Sequence, residues 1–208
     1  LQKLGQYARG RACIQYRIAI TGSVGKTGVR NMIDIALKAC DHKTHASIKS
    51  YNNHVGVPYT LATMPQLTDI SISEVGMNHS GEIATLTQQI QNDNANITEI
   101  EKGHIENFNN GIEGVAKEKS EIFKGMDNHG IAILPRDSKH YSHLQKYAAE
   151  SNIQNVYTFG EHDDSDARLD HIEATADGTK ITATILGESI TYTLKIAGKH
   201  IAINSLAP

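Results

Sequence analysis

Hydrophobic residues along this chain alternate between short runs rich in β-branched side chains and longer runs with helical spacing. The short runs predict strands over residues 16–21, 45–48, 69–76, 95–100, 130–134 and 156–159. The longer runs predict helices over residues 26–39, 82–90, 112–124 and 138–151. Because strands that alternate with helices usually form a parallel sheet covered by helices, the predicted fold is α/β with a mostly parallel sheet.

The pattern changes after Gly160. A polar turn at residues 163–166 is followed by strand-like segments that the turn pairs Asp177-Gly178 and Gly187-Glu188 separate. Short strands joined by such turns pair in antiparallel fashion. The C-terminal third is therefore expected to add a small antiparallel β meander to the sheet.

Charge and composition exclude several kinds of partner. The 208 residues carry a formal net charge of −3, with a pI of about 6.4, which leaves no basic field for a nucleic-acid backbone. No apolar run approaches the roughly 20 residues that cross a bilayer. Cys13 and Cys40 lie far apart, without metal-ligand spacing. We therefore expect a cytoplasmic protein that binds neither nucleic acid nor membranes. We also expect a monomer, although none of these features bears on the oligomeric state.

A glycine-rich turn joins the first predicted strand to the first long helix. Its sequence is Gly22-Ser23-Val24-Gly25-Lys26-Thr27. Glycines let backbone N–H groups converge on an anion, and the helix N-terminus adds partial positive charge. A lysine at this position reaches the terminal phosphates of a nucleotide, and the threonine hydroxyl binds Mg²⁺. The turn is shorter than the full Walker pattern, so an ordinary strand-to-helix turn is the alternative.

Two more candidate ligands are predicted at the same edge of the sheet. Glu74 ends one apolar strand, and His104 follows the next one along the chain. In open α/β sheets, ligands gather beyond the carboxyl ends of the strands, which makes Glu74 a candidate metal ligand beside Thr27. The alternatives are a solvated glutamate and a surface histidine, since the chain holds eleven histidines.

The helix predicted over residues 112–124 carries one lysine on its apolar face. That face holds Ile112, Val115, Ala116, Lys119, Ile122 and Phe123. The opposite, polar face holds Lys117, Glu118, Ser120, Glu121 and Lys124. An unpaired buried ammonium is too costly to be accidental. Lys119 therefore extends to solvent, meets a buried carboxylate, or reacts as a neutral amine with CO₂ to form a metal-binding carbamate.

Several segments, in this order along the chain, carry a resemblance to a known family. Besides the glycine-rich turn, they are Tyr51-Asn52-Asn53-His54-Val55-Gly56-Val57-Pro58, Glu74-Val75-Gly76-Met77-Asn78-His79-Ser80-Gly81-Glu82-Ile83, residues 111–123, Gly198-Lys199-His200 and Asn204-Ser205-Leu206-Ala207. Over roughly residues 14–208 the chain resembles the central, ATP-binding domain of the Mur ligase superfamily, and in particular its MurF branch.

The resemblance implies an ATP-dependent amide ligation that passes through an acyl phosphate and uses two Mg²⁺ ions. Lys26 would stabilise the transferred phosphate, Thr27 and Glu74 would hold the first Mg²⁺, and Asn204 would contact the adenine. His104 and a carbamylated Lys119 would hold the second Mg²⁺. The phosphate or precursor region would be lined by Asn52, Asn53, His54, Asn78 and His79.

The resemblance also implies substrates and a domain organisation. The substrates would be UDP-N-acetylmuramoyl-tripeptide and D-alanyl-D-alanine, used in peptidoglycan synthesis. Residues 1–14 would form a connecting helix from an N-terminal domain, residues 15–198 the ATP-binding domain, and residues 199–208 the start of an adenine-contacting helix before a C-terminal domain. We expect the chain alone to bind nucleotide weakly and to turn over poorly or not at all, because the other domains would exclude water and position the amine.

Other functions remain open at this point. Within the ligases, another Mur ligase or a folylpolyglutamate synthase-like enzyme shares the phosphate loop and the metal-binding lysine. From a different class, the chain could be a P-loop ATPase or kinase, or a non-catalytic nucleotide-binding module. Neither of these needs a lysine on the apolar face of a helix, so the environment of Lys119 distinguishes them from a ligase.

Overall fold

A computed structural model describes residues 1–101 and 111–208. The helices are α1 (Gln2–Arg11), α2 (Lys26–Ala39), α3 (Gly56–Ala62), α4 (Glu82–Ile90), α5 (Gly111–Ser120), α6 (Tyr141–Glu150) and α7 (Lys199–Asn204), and a 3₁₀ turn, Glu121–Gly125, follows α5. The strands are β1 (Tyr16–Thr21), β2 (Thr44–Ala46), β3 (Ile70–Glu74), β4 (Asn94–Ile97), β5 (Ile131–Pro135), β6 (Asn155–Gly160), β7 (Ala167–Thr175), β8 (Gly178–Ile185) and β9 (Glu188–Leu194).

These strands form one sheet in the order β2-β3-β1-β4-β5-β6-β7-β8-β9. Pairing is parallel from β2 through β7, and it becomes antiparallel between β7, β8 and β9. The α/β fold class and the C-terminal meander are therefore confirmed. In this order β1 lies between β3 and β4, so the turn that follows β1 is flanked by the carboxyl ends of both neighbours.

The core lies on both faces of the parallel part of the sheet. Successive residues of β1 show why: Ala19 belongs to the apolar cluster that packs under α3, α4, α5 and α6, whereas Ile20 belongs to the cluster under α2 and α7. All five residues of β3 are buried. Strands covered by helices on both faces need apolar residues throughout, which accounts for the continuous hydrophobic runs in the sequence.

Most element boundaries agree with the prediction, and two differences have local causes. Helix α3 was not predicted, because Gly56 and Pro58 suggest a turn. Proline is tolerated in a first helical turn, where its missing N–H has no intrahelical partner in any case. The predicted helix over 112–124 ends as an α-helix at Ser120 and continues as the 3₁₀ turn. None of the helices in the described residues is long and apolar enough to cross a bilayer.

Candidate active site

The turn between β1 and α2 can be built only with glycine at two positions. Gly22 has φ 150°, and a Cβ atom there would lie 1.8 Å from Thr98 Oγ1. Gly25 is the left-handed N-cap of α2, with φ 87°, and a Cβ atom there would lie 2.5 Å from the side-chain amide nitrogen of Asn204. The glycines of the motif therefore serve close backbone approach at this turn, as an anion-binding loop requires.

The residues that follow β4 hold this turn in place. Thr98 donates from its backbone N–H to the Thr21 carbonyl oxygen (2.8 Å) and from its hydroxyl to the Val24 carbonyl oxygen (2.5 Å). The backbone N–H of Ser23 donates to the carbonyl oxygen of Glu99 (2.8 Å). Hydrogen bonds from the residues after a neighbouring strand thus fix the turn, and such fixed geometry is the preorganisation that phosphate transfer needs.

The predicted pair Thr27 and Glu74 meets at the start of α2. The Thr27 hydroxyl donates to Glu74 Oε2 (2.8 Å), and the Asn52 side-chain amide donates to Glu74 Oε1 (2.8 Å). The side chain of Glu74 is buried, with 1% of the residue exposed. A hydroxyl and a carboxylate oxygen side by side are hard ligands of the kind that Mg²⁺ prefers. Asn52, expected to line the phosphate or precursor region, also orients this carboxylate.

Lys119 is buried, with only 4% of the residue exposed, so the solvent-exposed alternative was wrong. Its Nζ atom donates to the Gly22 carbonyl oxygen (3.0 Å), and Lys26 Nζ donates to the same oxygen (2.7 Å). Helix α5 therefore brings its lysine directly to the phosphate loop. The side-chain nitrogens of two lysines consequently share one carbonyl oxygen at the place where nucleotide phosphates are expected.

Burial and crowding change the proton affinity of both lysines. Desolvation, followed by repulsion from Lys26, lowers the pKa of Lys119 to about 7, while the neighbouring Glu118 opposes the change. Desolvation also lowers the pKa of Lys26, with Glu74 acting in the opposite direction. Near neutral pH, a substantial fraction of Lys119 is therefore a neutral amine, which is the form that reacts with CO₂.

A cavity of about 220 Å³ connects these groups. It is lined by Gly22, Ser23, Lys26, Asn52, Asn53, Gly76, Met77, Asn78, Glu82 and Lys119. The structure thus brings the phosphate loop, both lysines and three of the five predicted substrate residues together. His54 and His79 are exposed and lie outside this lining, and His104 lies outside the described residues.

A second cavity, of about 440 Å³, lies on the other side of the phosphate loop. It is lined by Val24, Gly25, Glu99, Glu101, Pro135, Asp137, Phe159, His200, Ile203 and Asn204. Asn204, the expected adenine contact, is one of its lining residues, and its role stays a prediction. Our sequence reasoning did not single out Glu99 or Asp137, although both follow carboxyl ends of parallel strands, the position that identified Glu74.

The predicted polar face of α5 was wrong at two positions. Glu118 and Ser120 are each only 5% exposed. The Glu118 carboxylate accepts hydrogen bonds from the Ser80 hydroxyl (2.9 Å) and from the backbone N–H of Gly81 (2.7 Å), while Ser120 Oγ donates to the Ala116 carbonyl oxygen (2.8 Å). Helix α5 is enclosed on more than one side, because the segment that precedes α4 covers part of the face expected to be solvated.

No group of three or more His, Cys, Asp or Glu side chains that could hold a metal ion occurs within residues 1–101 and 111–208. The ligand pair described above is of another kind, since it combines one hydroxyl with one carboxylate. Such a pair holds Mg²⁺ only together with the phosphate oxygens of a nucleotide and with water.

Comparison with known proteins is consistent with this geometry. Residues 20–208 match the family model of the Mur ligase middle domain. UDP-N-acetylmuramoyl-tripeptide--D-alanyl-D-alanine ligase of Rickettsia prowazekii is 33% identical over 204 residues, which cover 98% of this chain and 45% of that protein. The chain therefore spans less than half the length of this relative.

Two solved structures share the fold. The crystal structure of MurF from Acinetobacter baumannii superposes with a TM-score of 0.90 at 28% identity, covering 99% of this chain and 44% of that one. MurF ligase from Thermotoga maritima, solved in complex with ADP, has a TM-score of 0.84 at 20% identity, covering 99% and 46%. The family match over nearly the whole chain, the shared fold and the phosphate loop lead to one assignment: the chain belongs to the Mur ligase middle-domain family.

Proposed function

We propose that this chain is the ATP-binding domain of a ligase that joins D-alanyl-D-alanine to UDP-N-acetylmuramoyl-tripeptide in peptidoglycan synthesis. The observation that carries the proposal is that Lys26 and Lys119 line one cavity and share the Gly22 carbonyl oxygen, while Thr27, next to Lys26, bonds the Glu74 carboxylate. The activity named for the Rickettsia prowazekii relative supports the choice of substrates. We place the reaction in the cytoplasm, which supplies its ATP. The monomeric state stays a prediction.

In this proposal the nucleotide lies across the phosphate loop. Its phosphates occupy the side of Lys26, and its adenine enters the 440 Å³ cavity beside Asn204. The first-turn N–H groups of α2 and the helix dipole attract the anionic phosphates. The ADP complex of the Thermotoga maritima protein supports a nucleotide as the ligand of this fold.

Thr27 and Glu74 are proposed to hold the first Mg²⁺, since their oxygens lie 2.8 Å apart beside the loop. Lys119, as a carbamate, and His104 are proposed to hold the second. The buried, partly neutral Lys119 amine fits carbamate formation, because only an unprotonated nitrogen attacks CO₂. Bound Mg²⁺ would neutralise phosphate charge and align the two reacting oxygens.

The chain's own residues would then serve phosphoryl transfer in two ways. The Lys26 ammonium would neutralise charge on the γ-phosphoryl group while the substrate carboxylate oxygen attacks phosphorus and ADP leaves. The rigid loop would hold that group in line, since it is already fixed by Thr98. The amine of D-alanyl-D-alanine would next attack the acyl phosphate, forming the amide and releasing inorganic phosphate and a proton.

The test uses the full-length protein with ATP, Mg²⁺ and UDP-N-acetylmuramoyl-tripeptide, comparing D-alanyl-D-alanine with L-glutamate and diaminopimelate as acceptors. We expect amide product with D-alanyl-D-alanine, in step with release of inorganic phosphate. ATP hydrolysis that needs no acceptor would instead support a simple ATPase, and preference for another acceptor would indicate a different ligase. The 208-residue chain alone is expected to bind nucleotide and to form no amide.

The role of Lys119 is tested with a matched control on the same helix. Lys119→Ala is expected to abolish ligation, whereas Lys117→Ala, which alters an exposed lysine, should leave it unchanged. Removing bicarbonate from the wild-type protein should lower activity, and adding it back should restore activity. Normal turnover by Lys119→Ala would exclude the carbamate.

A further inference from the structure

Helix α5 carries two adjacent buried charged residues, Glu118 and Lys119, that bond different segments near the 220 Å³ cavity. Lys119 bonds the phosphate loop through the Gly22 carbonyl oxygen. Glu118 bonds Ser80 and Gly81, which lie between the cavity-lining residues Asn78 and Glu82 in the chain. One helix thus connects the loop expected to hold the nucleotide with the segment between β3 and α4.

The contacts of Glu118 use both of its carboxylate oxygens. Oε2 accepts from the Ser80 hydroxyl at 2.9 Å, and Oε1 accepts from the Gly81 N–H at 2.7 Å. Gly81 is the N-cap of α4 and has φ 84°, and no side chain caps that helix from within its own N-terminus. Glu118 therefore supplies a negative charge to the α4 N-terminus from a position 37 residues away in sequence.

The segment held in this way, residues 77–81, forms part of the cavity wall. Met77 and Asn78 line the cavity together with Gly22, Ser23 and Lys26 of the phosphate loop. A local contact also holds this segment. Glu82 Oε2 accepts hydrogen bonds from the backbone N–H groups of Asn78 (2.6 Å) and His79 (3.1 Å). Glu82 shapes the segment locally, whereas Glu118 attaches it to the helix that carries Lys119.

We propose that Glu118 is a positioning residue for the carboxylate-bearing substrate. By holding Ser80 and Gly81 against α5, it sets the separation between the Met77–Asn78 wall and the phosphate loop, and so the place of the carboxylate to be phosphorylated. This inference rests on the proposed ligase function. The nucleotide side of the loop is held separately by Thr98 and should not depend on Glu118.

A glutamine at position 118 separates hydrogen bonding from charge. Its amide oxygen can accept from the Gly81 N–H, and its NH₂ group can donate to the Ser80 hydroxyl. If Glu118 positions the segment, Glu118→Gln should retain most of the activity and Glu118→Ala should not. If Glu118 acts through its charge on Lys119, the two variants should be equally impaired.

The experiment measures steady-state kinetics of the full-length protein and amide hydrogen exchange over residues 77–81. Glu118→Ala is expected to raise the KM for UDP-N-acetylmuramoyl-tripeptide by about tenfold or more and to speed amide exchange, because a pair of charge-assisted hydrogen bonds is lost. The KM for ATP should stay within about twofold of wild type. Glu118→Gln should stay within about threefold of wild type on all three measures. The control is Glu113→Ala, an exposed glutamate on α5, which should change nothing.

Each outcome has a separate meaning. An unchanged precursor KM in Glu118→Ala, or equal damage in Glu118→Ala and Glu118→Gln, would overturn the positioning role. If Glu118→Ala does not fold, Ser80→Ala tests the same bond. It should raise the precursor KM by about threefold and leave the KM for ATP unchanged, and a wild-type precursor KM in that variant would overturn the inference. A wild-type protein without ligase activity would refute the proposed function instead.

Discussion

Replacing Lys119 by methionine should make the chain more stable, and the gain should depend on pH. In the folded chain, burial lowers the pKa of Lys119 to about 7, from an ordinary value of 10.5. Because the folded pKa lies below the unfolded one, the ammonium destabilises the fold, and this penalty is complete below about pH 7. Above that pH the unfolded chain binds more protons than the folded chain, so stability rises toward the unfolded pKa.

The size of the effect follows from the same values. Once the folded lysine has lost its proton, the free energy of unfolding rises by up to about 1.4 kcal/mol for each pH unit. Between about pH 7 and pH 9 the wild-type chain should therefore gain about 2 kcal/mol from this residue. Methionine has a similar length and no charge, so a Lys119→Met chain should lack this rise. The Gly22 carbonyl oxygen keeps its hydrogen bond from Lys26.

The assay is urea unfolding of the two chains across this pH range in bicarbonate-free buffer, which prevents carbamate formation. Cysteine and tyrosine titrations are common to both chains and cancel in the difference. Lys117→Met is the matched control, since Lys117 is exposed on the same helix and should follow the wild-type curve. If Lys119→Met showed the same pH dependence as wild type, Lys119 would not be desolvated, and the burial argument would be refuted.

Three other substitutions test the site and its scaffold. Gly22→Ala should lower the free energy of unfolding by at least about 2 kcal/mol, measured in urea, because its Cβ would lie 1.8 Å from Thr98 Oγ1; a wild-type midpoint would contradict this packing. Thr27→Val should weaken nucleotide binding, measured by calorimetry, by about tenfold when Mg²⁺ is present and leave binding without Mg²⁺ unchanged. Equal losses with and without Mg²⁺ would argue against Thr27 as a metal ligand. Asp93→Asn should lower the free energy of unfolding, measured in urea, by about 1 kcal/mol, because it weakens a partly exposed ion pair with Arg17. Nucleotide affinity should stay unchanged, since neither residue lines the cavity.

The sequence by itself was sufficient for the fold class and for part of the site. The apolar runs located β1, α2 and α4 with their observed ends, because each element has one or two faces that must be buried. Glu74 was predicted to lie beside Thr27 because it ends a strand, and the structure confirms this contact. Parallel strands end at the same edge of a sheet. The apolar face of α5 also indicated that Lys119 was unusual. The second metal site, with His104 and the carbamate, stays a prediction.

Only the tertiary structure decided which partners the buried charges have. The helical spacing of apolar residues shows only which face of a helix packs against the core. It assigned Glu118 to solvent because charged residues normally lie on the opposite face. The structure places a second surface there, the segment before α4, which comes from 37 residues earlier in the chain. In the same way, Lys119 bonds the Gly22 carbonyl oxygen across 97 residues. Such long-range contacts depend on how the elements pack together, and no local pattern in the sequence records them.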